Sequence, residues 1–256
     1  MPCVDLNADL GESFGNYTCG MDGEVLPLIS SANVACGFHA SDPLVMSRTV
    51  AAAARLHTAV GAHPGYPDLV GFGRRSISVS PAELKAMVQY QLGALDAFCR
   101  ASGVRLQHVK PHGAMYNMAA KDEKLALAIA EAVSAYDPEL ILLGLSGSRM
   151  IEAGEALGLR CAREVFADRA YQEDGSLVPR SQPGAVITDE DAAVARVLRM
   201  VKEGTVETVT GRVIPVKADS VCLHGDNPKA VAFARRIREA LEREGVTVCP
   251  IARVLG

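Results

Sequence analysis

The sequence predicts an α/β protein, a (β/α) barrel of about seven to eight parallel strands. Short apolar runs typical of strands alternate with amphipathic helical patterns along all 256 residues, as expected for repeated βα units. The number of units favours a closed or nearly closed barrel over an open sheet. No linker or low-complexity segment interrupts the alternation, so residues 1–256 are predicted to form a single domain.

Each element has a recognisable signal. The predicted strands are, in chain order, CVDLN, ANVACGF, TAVGAH, RLQHVKP, LILLGLS, CAREVF, SVCLHG and VTVCPI. The predicted helices cover residues 43–57, 81–101, 121–135, 148–157, 189–203 and 228–244. The helix at 81–101 begins with a capping box, because Ser80 precedes it and Glu83 lies three residues later.

Three segments do not follow the short-loop pattern. Residues 205–219 alternate at period two around Thr-Gly, which predicts a β-hairpin before the strand at Ser220. Residues 63–80 and 167–188 are long, rich in Gly and Pro, and carry arginines. Long loops in a compact domain are typical of functional lids or of disordered segments.

Composition excludes several classes of protein. The net charge of −4 gives no general reason to expect a nucleic acid or an anionic membrane as partner. No apolar run approaches the roughly 18 residues of a membrane helix, and the early acidic residues argue against a signal peptide. The seven cysteines are odd in number and form no CxxC pair. We therefore expect reduced core thiols and a cytoplasmic protein.

Four of the six histidines follow an apolar run and stand beside glycine or proline. They are His39, His63, His112 and His224. The loops that follow the strands of a (β/α) barrel open on one face, where the active site lies. We therefore expect these four side chains to converge, whereas His57 and His108 are expected to be structural.

The first predicted strand carries polar residues at alternate positions. In DLNADLGE, period two places Asp5, Asn7 and Asp9 on one face, followed by Glu12. Such a face at the start of a barrel predicts a metal site or a general base. The alternative is an amphipathic edge strand with a solvated face.

Other polar residues follow later strands. In VKPHGAMYN, Lys110 ends an apolar run, where it could neutralise a substrate anion or stabilise an oxyanion. The loop arginines suit carboxylate or phosphate groups, although solvated surface arginines are the alternative. Asp226 in LHGDNP could equally be the N-cap of the following helix. Phosphate loops, GxGxxG, GxSxG and HExxH are not found in the sequence.

Six segments together resemble the LamB/YcsF family. They are VDLNADLGESFG, SSANVACGFHASDP, GAHPGYPDLVGFGRR, VKPHGAMYN, EVFADRAYQEDGSLVPR and LHGDNP, in order and over nearly the whole chain. The resemblance implies a distorted β/α barrel similar to those of glycoside hydrolases and polysaccharide deacetylases. It also implies opening of 5-oxo-L-proline to L-glutamate, coupled to hydrolysis of ATP to ADP and phosphate. The family implies two partner subunits, B and C, and Mg²⁺ as a candidate companion of ATP.

The resemblance supports positions rather than individual roles. The candidate catalytic residues are Asp9, His39, His63, Lys110, His112, Asp168 and His224. The candidate substrate-binding residues are Asn7, Glu12, Arg74, Arg75, Tyr116, Asn117, Arg169 and Asp226. Which residue acts as general base, which subunit binds ATP, and whether another divalent metal is bound remain open at the level of sequence.

Two alternative functions also remain open. The first is a metal-dependent deacetylase or amidohydrolase that acts alone, although the compact HxxxH-type motif of those deacetylases is not found. The second is a non-catalytic subunit that binds 5-oxoproline and presents it to its partners.

Overall fold

The computed structural model describes residues 2–180, 182–223 and 228–256. These residues form ten strands: β1 (Cys3–Leu10), β2 (Ser31–Ala35), β3 (Ala59–His63), β4 (Leu106–Val109), β5 (Ile141–Leu145), β6 (Cys161–Phe166), β7 (Thr205–Glu207), β8 (Val213–Pro215), β9 (Ser220–Leu223) and β10 (Thr247–Val248).

Helices cover most strand-to-strand connections in the described chain. They are α1 (Asp22–Val25), α2 (Pro43–Arg55), α3 (Pro81–Ala101), α4 (Gly113–Ala119), α5 (Glu123–Tyr136), α6 (Arg149–Ala156), α7 (Glu190–Glu203), α8 (Pro228–Arg243) and α9 (Ile251–Leu255). A short 3-10 helix (Leu26–Leu28) follows α1. None of the helices in the described ranges combines the length and apolar character needed to cross a membrane.

Seven parallel strands close into a barrel, as predicted. The hydrogen-bonded order is β1-β2-β3-β4-β5-β6-β9, and β9 pairs back with β1. The eighth predicted strand is much shorter than expected: β10 pairs with β1 outside the ring, and its predicted end belongs to α9. The hairpin at 205–219 is confirmed by the antiparallel pair β7–β8.

The predicted helices agree with the structure to within a few residues at their ends. α3 has the predicted bounds, and its capping box is present: Ser80 Oγ accepts from Glu83 N, while Ser80 N donates to Glu83 Oε2 at 2.7 Å. Sequence analysis missed α4, a short helix whose N-cap residue, His112, makes no capping hydrogen bond. The usual start signal for a helix is therefore absent there.

The two faces of β1 have opposite character. Val4, Leu6, Ala8 and Leu10 are buried in the apolar layer between the barrel and its helices. The intervening Asp5, Asn7 and Asp9 project into the barrel, where Asn7 and Asp9 accept hydrogen bonds from Asn33 on β2. This strand is therefore not an amphipathic edge strand with a solvated face.

The barrel interior leaves room for a histidine where β3 has a glycine. A Cβ at Gly61 would lie 2.1 Å from His108 Nε2. The His108 ring is fully buried and donates through this nitrogen to Asn33 Oδ1 at 2.8 Å. His57, by contrast, lies exposed after α2. The buried, hydrogen-bonded ring of His108 suits the structural role expected for it, whereas the role of His57 stays a prediction.

The expectation that all cysteines are reduced is wrong for one pair. Cys3 on β1 and Cys249 after β10 form a disulfide with a Cα–Cα distance of 6.5 Å. The parallel pairing of β10 with β1 brings them together across 246 residues of sequence, a proximity that spacing could not reveal. Cys36, Cys99 and Cys161 are buried thiols as expected. Because disulfides are rare in the cytosol, the cytoplasmic location stays a prediction.

Removing this cross-link tests its contribution to stability. We expect Cys3→Ser to lower the free energy of unfolding by about 2–4 kcal/mol, because the disulfide restricts the unfolded chain. Urea unfolding with and without reductant measures the effect. Reductant should destabilise the wild type and leave Cys3→Ser unchanged. Alkylation of all seven cysteines in the denatured but unreduced wild type would contradict the assignment.

Candidate active site

The loops after the barrel strands surround a cavity of about 490 Å³. Most of the predicted site residues within the described ranges line it: Asp9, Glu12, His63, Arg74, Lys110, His112, Tyr116, Asn117 and Arg169. The parallel strands explain this convergence, because their carboxyl ends all open on the same face.

Lys110 lies at the floor of this cavity and is almost fully buried. Its Nζ is 3.0 Å from Asp9 Oδ1, 2.8 Å from Glu164 Oε1 and 3.1 Å from Asn7 Oδ1. Burial alone would lower the pKa of the ammonium, but the negative charges beside it, Asp9 foremost, raise that pKa well above its usual value. Lys110 is therefore a fixed positive charge at neutral pH.

Asp9 connects this lysine to the histidines. Its Oδ1 accepts from Lys110, and its Oδ2 lies 3.3 Å from His63 Nε2. Burial would raise the pKa of the carboxyl, but the charges of His63 and Lys110 hold it well below its usual range. Asp9 is therefore an ionised carboxylate that faces the cavity.

Glu164 is a functional candidate that sequence analysis missed. It lies on β6, has no exposed surface, and accepts from Asn7 Nδ2 at 3.0 Å and from Tyr116 Oη at 2.6 Å. Burial and then the charge of Glu164 raise the pKa of Tyr116 well above its usual value, so the phenol stays protonated. The available signal was a lone carboxylate within the apolar run CAREVF, since an isolated buried charge needs a partner.

Two histidines point one ring nitrogen at each other. His63 Nε2 and His112 Nδ1 are 2.9 Å apart. The opposite nitrogen of each ring lies close to a backbone oxygen: His63 Nδ1 is 2.7 Å from the Lys110 carbonyl, and His112 Nε2 is 2.8 Å from that of Phe72. The backbone therefore fixes the orientation of both rings.

Glu12 and His39 complete a cluster with these two histidines. Glu12 Oε1 is 3.1 Å from His39 Nε2 and 3.4 Å from His112 Nδ1. The His39 ring stacks on that of His112 with centroids 3.7 Å apart. Each of the four residues offers one ligand atom, and these atoms lie within 4.8 Å of one another. The cluster is therefore a candidate metal-binding group.

Burial controls the protonation of this cluster. Desolvation, followed by the neighbouring His39, lowers the pKa of His112 to about 2. Desolvation also lowers the pKa of His39 well below its usual value. For Glu12, burial and the charge of Asp9 raise the carboxyl pKa. His39 and His112 are therefore neutral imidazoles at physiological pH, the form that binds a metal or accepts a proton.

The glycine-rich part of loop 63–80 packs against these rings. A Cβ at Gly65 would lie 2.6 Å from His39 Nδ1, and one at Gly73 would lie 2.7 Å from His39 Cβ and 2.8 Å from His112 Cδ2. Gly73 also has φ of 62°, a conformation that favours glycine. Gly65 and Gly73 therefore allow the backbone to pack directly against the histidine rings.

Loop 167–188 forms another wall of the cavity. Its segment 176–180 contributes cavity-lining residues. Arg169, at the start of the loop, is nearly buried, and its Nη2 donates to the Val178 carbonyl at 2.6 Å. Its buried Nε finds no hydrogen-bond acceptor among the described residues. A residue that lines the cavity thus has one buried guanidinium N–H without an acceptor among the described residues.

Comparison with known proteins gives the family of this fold and site. The model of the LamB/YcsF family matches residues 4–256. The chain belongs to the LamB/YcsF family.

Relatives of this LamB/YcsF protein match it nearly end to end. It is 61% identical over 251 residues to the A subunit of 5-oxoprolinase from Clostridium beijerinckii, covering 98% of both chains. It is 56% identical to the protein of that name from Bacillus subtilis, covering 97% of both. A solved lactam utilization protein from Thermus thermophilus superposes with a TM-score of 0.92 at 52% identity, with 96% of this chain and 99% of that chain covered.

A more distant likeness concerns the fold alone. The T48 deacetylase superposes with a TM-score of 0.50 at 15% identity, covering 99% of this chain and 90% of that chain. This supports the deacetylase-like barrel implied by the LamB/YcsF resemblance.

Several predicted site residues of this LamB/YcsF protein do not line the cavity. Arg75 forms an ion pair with Asp68, and its side chain is 65% exposed. Asp168 does not line it either, whereas Asn7 lies beneath Lys110 as a support. His39 lies behind the ring of His112. His224 and Asp226 lie outside the described residues.

Asp5 supports the site from deeper in the barrel. It is fully buried and accepts hydrogen bonds from Ser30 Oγ at 2.7 Å, from Ser31 Oγ at 2.6 Å and from Ser220 Oγ. Despite these bonds, desolvation raises the pKa of Asp5 to about 6. The folded protein therefore binds this proton more tightly than the unfolded chain does, and ionisation of Asp5 opposes folding.

This pKa shift predicts how Asp5→Asn changes the pH dependence of stability. Asp5 should reduce the stability of the wild type as pH rises from about 4 to about 7, by roughly 3 kcal/mol. Asn cannot ionise, so the stability of Asp5→Asn relative to wild type should increase across this window. Urea unfolding of both proteins from pH 4 to 8 measures it. A stability difference that is independent of pH would contradict the shift.

Proposed function

We propose that this chain is the A subunit of an ATP-dependent 5-oxoprolinase. In this function, 5-oxo-L-proline and water give L-glutamate, coupled to hydrolysis of ATP to ADP and phosphate, in a complex with subunits B and C. Membership of the LamB/YcsF family supports the proposal, as do relatives named as the A subunit of 5-oxoprolinase at 61% and 56% identity.

The observation that carries the proposal is the buried Asp9–Lys110–Glu164 group at the floor of the cavity. The cavity, at about 490 Å³, has the size of a small-molecule site. A five-membered lactam with one carboxylate fits such a volume. The floor provides one ionised carboxylate and one ammonium within 3.0 Å of each other, where the lactam carbonyl can approach both.

The chemistry of a lactam explains why these groups are needed. Resonance makes the amide carbon a poor electrophile, and transfer of the ATP γ-phosphoryl group to the amide oxygen activates it. Water then adds to this carbon and the C–N bond breaks, the nitrogen leaving as the protonated amine, which gives the γ-phosphate ester anhydride of glutamate. A second water hydrolyses this acyl phosphate to glutamate and phosphate. In this proposal Asp9 accepts the proton of the attacking water, and Lys110 stabilises negative charge on oxygen.

The substrate carboxylate needs a cationic partner, and Arg169 is well suited to that role. Its Nη2 is held by the Val178 carbonyl, whereas its buried Nε lacks an acceptor among the described residues. A carboxylate bound there would satisfy this donor through a charge-assisted hydrogen bond. Arg74 also lines the cavity, but its guanidinium lies over the Phe72 ring, 5.1 Å from the centroid.

ATP and the partner subunits are included in the proposal because membership of the LamB/YcsF family implies them. The sequence has no phosphate-binding loop, so we propose that subunits B and C are needed for ATP-coupled turnover. The deacetylase alternative rests on a likeness at 15% identity, which concerns the fold alone, and on the acidic and histidine residues at the cavity, so a bound metal would favour it. The alternative of a non-catalytic binding role differs in one respect: it requires that Asp9 and Lys110 be dispensable for chemistry.

Substitution of the cavity floor tests catalysis by this chain. We expect Asp9→Asn and Lys110→Met each to lower kcat for glutamate release by about 100-fold or more, because a general base or an oxyanion stabiliser is lost. The assay combines each variant with subunits B and C, 5-oxoproline and ATP, and the wild type is also measured without partners and without ATP.

Arg75→Gln is the matched control, since Arg75 pairs with Asp68 and does not line the cavity. It should retain wild-type activity. Full activity of both floor variants in assembled complexes would favour the non-catalytic binding role. Turnover by the wild-type chain alone without ATP would contradict the coupled reaction.

Arg169→Gln tests recognition of the carboxylate. We expect KM for 5-oxoproline to rise about 10- to 100-fold, with a smaller change in kcat, because a hydrogen bond to a charged group contributes about 1.5–3 kcal/mol. Inhibition by 2-pyrrolidone, which lacks the carboxylate, provides the control. Its inhibition constant should be similar in wild type and variant, and an equal loss for both ligands would contradict the assigned role.

A further inference from the structure

The backbone contacts of His63 and His112 determine which ring nitrogens carry protons. His63 Nδ1 and His112 Nε2 each lie within 2.8 Å of a carbonyl oxygen, which can only accept. Each of these nitrogens therefore carries a hydrogen, which is the only one when the ring is neutral. The inner nitrogens, His63 Nε2 and His112 Nδ1, then each carry a lone pair and no hydrogen, although they lie 2.9 Å apart. Two lone pairs at this distance require a cation between or beside them.

Glu12 and His39 each bring one further possible metal-ligand atom close to these two nitrogens. Glu12 Oε1 is 3.4 Å from His112 Nδ1 and 3.1 Å from His39 Nε2. One additional proton could satisfy a single nitrogen–nitrogen contact. His39 Nε2 can also donate its own hydrogen to Glu12 Oε1, but neither hydrogen bond explains why all four ligand atoms lie within 4.8 Å of one another. A metal ion does explain it, since neighbouring ligands that each lie about 2.0–2.2 Å from one ion are about 2.8–3.6 Å apart, from octahedral to tetrahedral geometry.

We propose that Glu12, His39, His63 and His112 bind one divalent transition-metal ion at the mouth of the barrel. Three imidazole nitrogens and one carboxylate oxygen suit Zn²⁺, Co²⁺, Mn²⁺ or Fe²⁺. Mg²⁺ and Ca²⁺ prefer sites made of oxygen ligands. The proposed ion is therefore distinct from any Mg²⁺ that accompanies ATP.

The surroundings of the cluster have the features of a metal site. Backbone carbonyls orient His63 and His112 through their outer N–H groups, as is usual for metal-bound histidines. Glu12, His63 and His112 line the cavity, while His39 closes the buried side behind His112. This arrangement leaves the cavity side open for a water molecule or a substrate atom, as in catalytic metal sites.

The proposed metal site adds to the proposed function without depending on it. Asp9 Oδ2 lies 3.3 Å from His63 Nε2, so the site adjoins the Asp9–Lys110 pair. A bound ion there would supply Lewis-acid chemistry beside the group that we propose to act on the lactam. Metal binding is measured on the isolated chain and is independent of turnover.

Titration of the chelator-treated chain tests the proposal directly. The full-length protein is treated with EDTA, dialysed and titrated with ZnCl₂, CoCl₂ or MgCl₂ by calorimetry. We expect one Zn²⁺ or Co²⁺ per chain, visible absorption of bound Co²⁺ with nitrogen ligands, and a raised melting temperature. Mg²⁺ should bind far more weakly and should not displace Co²⁺.

Two variants and one control locate the ion. Glu12→Gln, which is nearly isosteric, and His112→Ala should each lower the affinity for Zn²⁺ about 100-fold or more. His57→Asn removes an exposed imidazole outside the cluster and should bind one Zn²⁺ like the wild type. Circular dichroism of each metal-free variant establishes whether it is folded, so that loss of binding is not confused with loss of folding. If His112→Ala does not fold, the Zn²⁺ affinity of Glu12→Gln alone tests the site.

Three outcomes would overturn the proposal. If the folded wild type takes up none of Zn²⁺, Co²⁺ or Mn²⁺, an extra proton rather than a metal links the two histidines. Binding with unchanged affinity in both variants would place the ion elsewhere. Loss of binding in His57→Asn alone would identify an adventitious surface ion.

Discussion

The ammonium of Lys110 holds together side chains from three strands of the barrel. Lys110 follows β4, Asn7 and Asp9 lie on β1, Glu164 lies on β6, and Cys222 Sγ on β9 is 3.3 Å from Nζ. A buried charge is costly unless it is paired and hydrogen-bonded. The strands must therefore keep the register that aligns these groups, and the mouth of the barrel takes its shape from that requirement.

A polar interior of this kind contributes more to geometry than to stability. Buried ion pairs often add little net stability, because the desolvation of both partners offsets their attraction. The apolar layer between the barrel and its helices contains most of the buried hydrophobic side chains. Burial of apolar side chains between the strands and the helices thus drives folding. The polar groups inside the ring of strands fix the positions of the cavity-lining residues.

The sequence predicted those parts of the site that repeat a regular pattern. Period two on β1 placed Asp5, Asn7 and Asp9 on one face, and the parallel barrel predicted that His63 and His112 converge. Glu164 escaped notice because one carboxylate in an apolar run has no periodic counterpart. Its role depends on strand register, which joins β6 to β9 as well as to β5, its neighbour in sequence. The disulfide depends equally on a contact between the two ends of the chain.

Two adjacent arginines show most clearly what a local sequence pattern cannot predict. Arg74 and Arg75 are adjacent in the sequence, yet Arg74 lines the cavity and Arg75 pairs with Asp68 on the outside. The positive φ of Phe72 and Gly73, at 54° and 62°, turns the backbone just before them. The same turn places the Phe72 carbonyl against His112 Nε2. One irregular stretch of loop therefore determines both which arginine faces the cavity and which tautomer His112 adopts.

The balance of charge at the mouth links the lysine group to the histidine cluster. Asp9 and Glu164 contact Lys110, and Glu12 contacts the neutral His39 and His112. This contiguous group contains three carboxyl groups and only one ammonium. A divalent ion in the histidine cluster would add positive charge to it, and Asp9, between Lys110 and His63, would experience both cations. An anionic intermediate in the cavity would then meet positive charge on two sides, which explains why the two groups share one carboxylate.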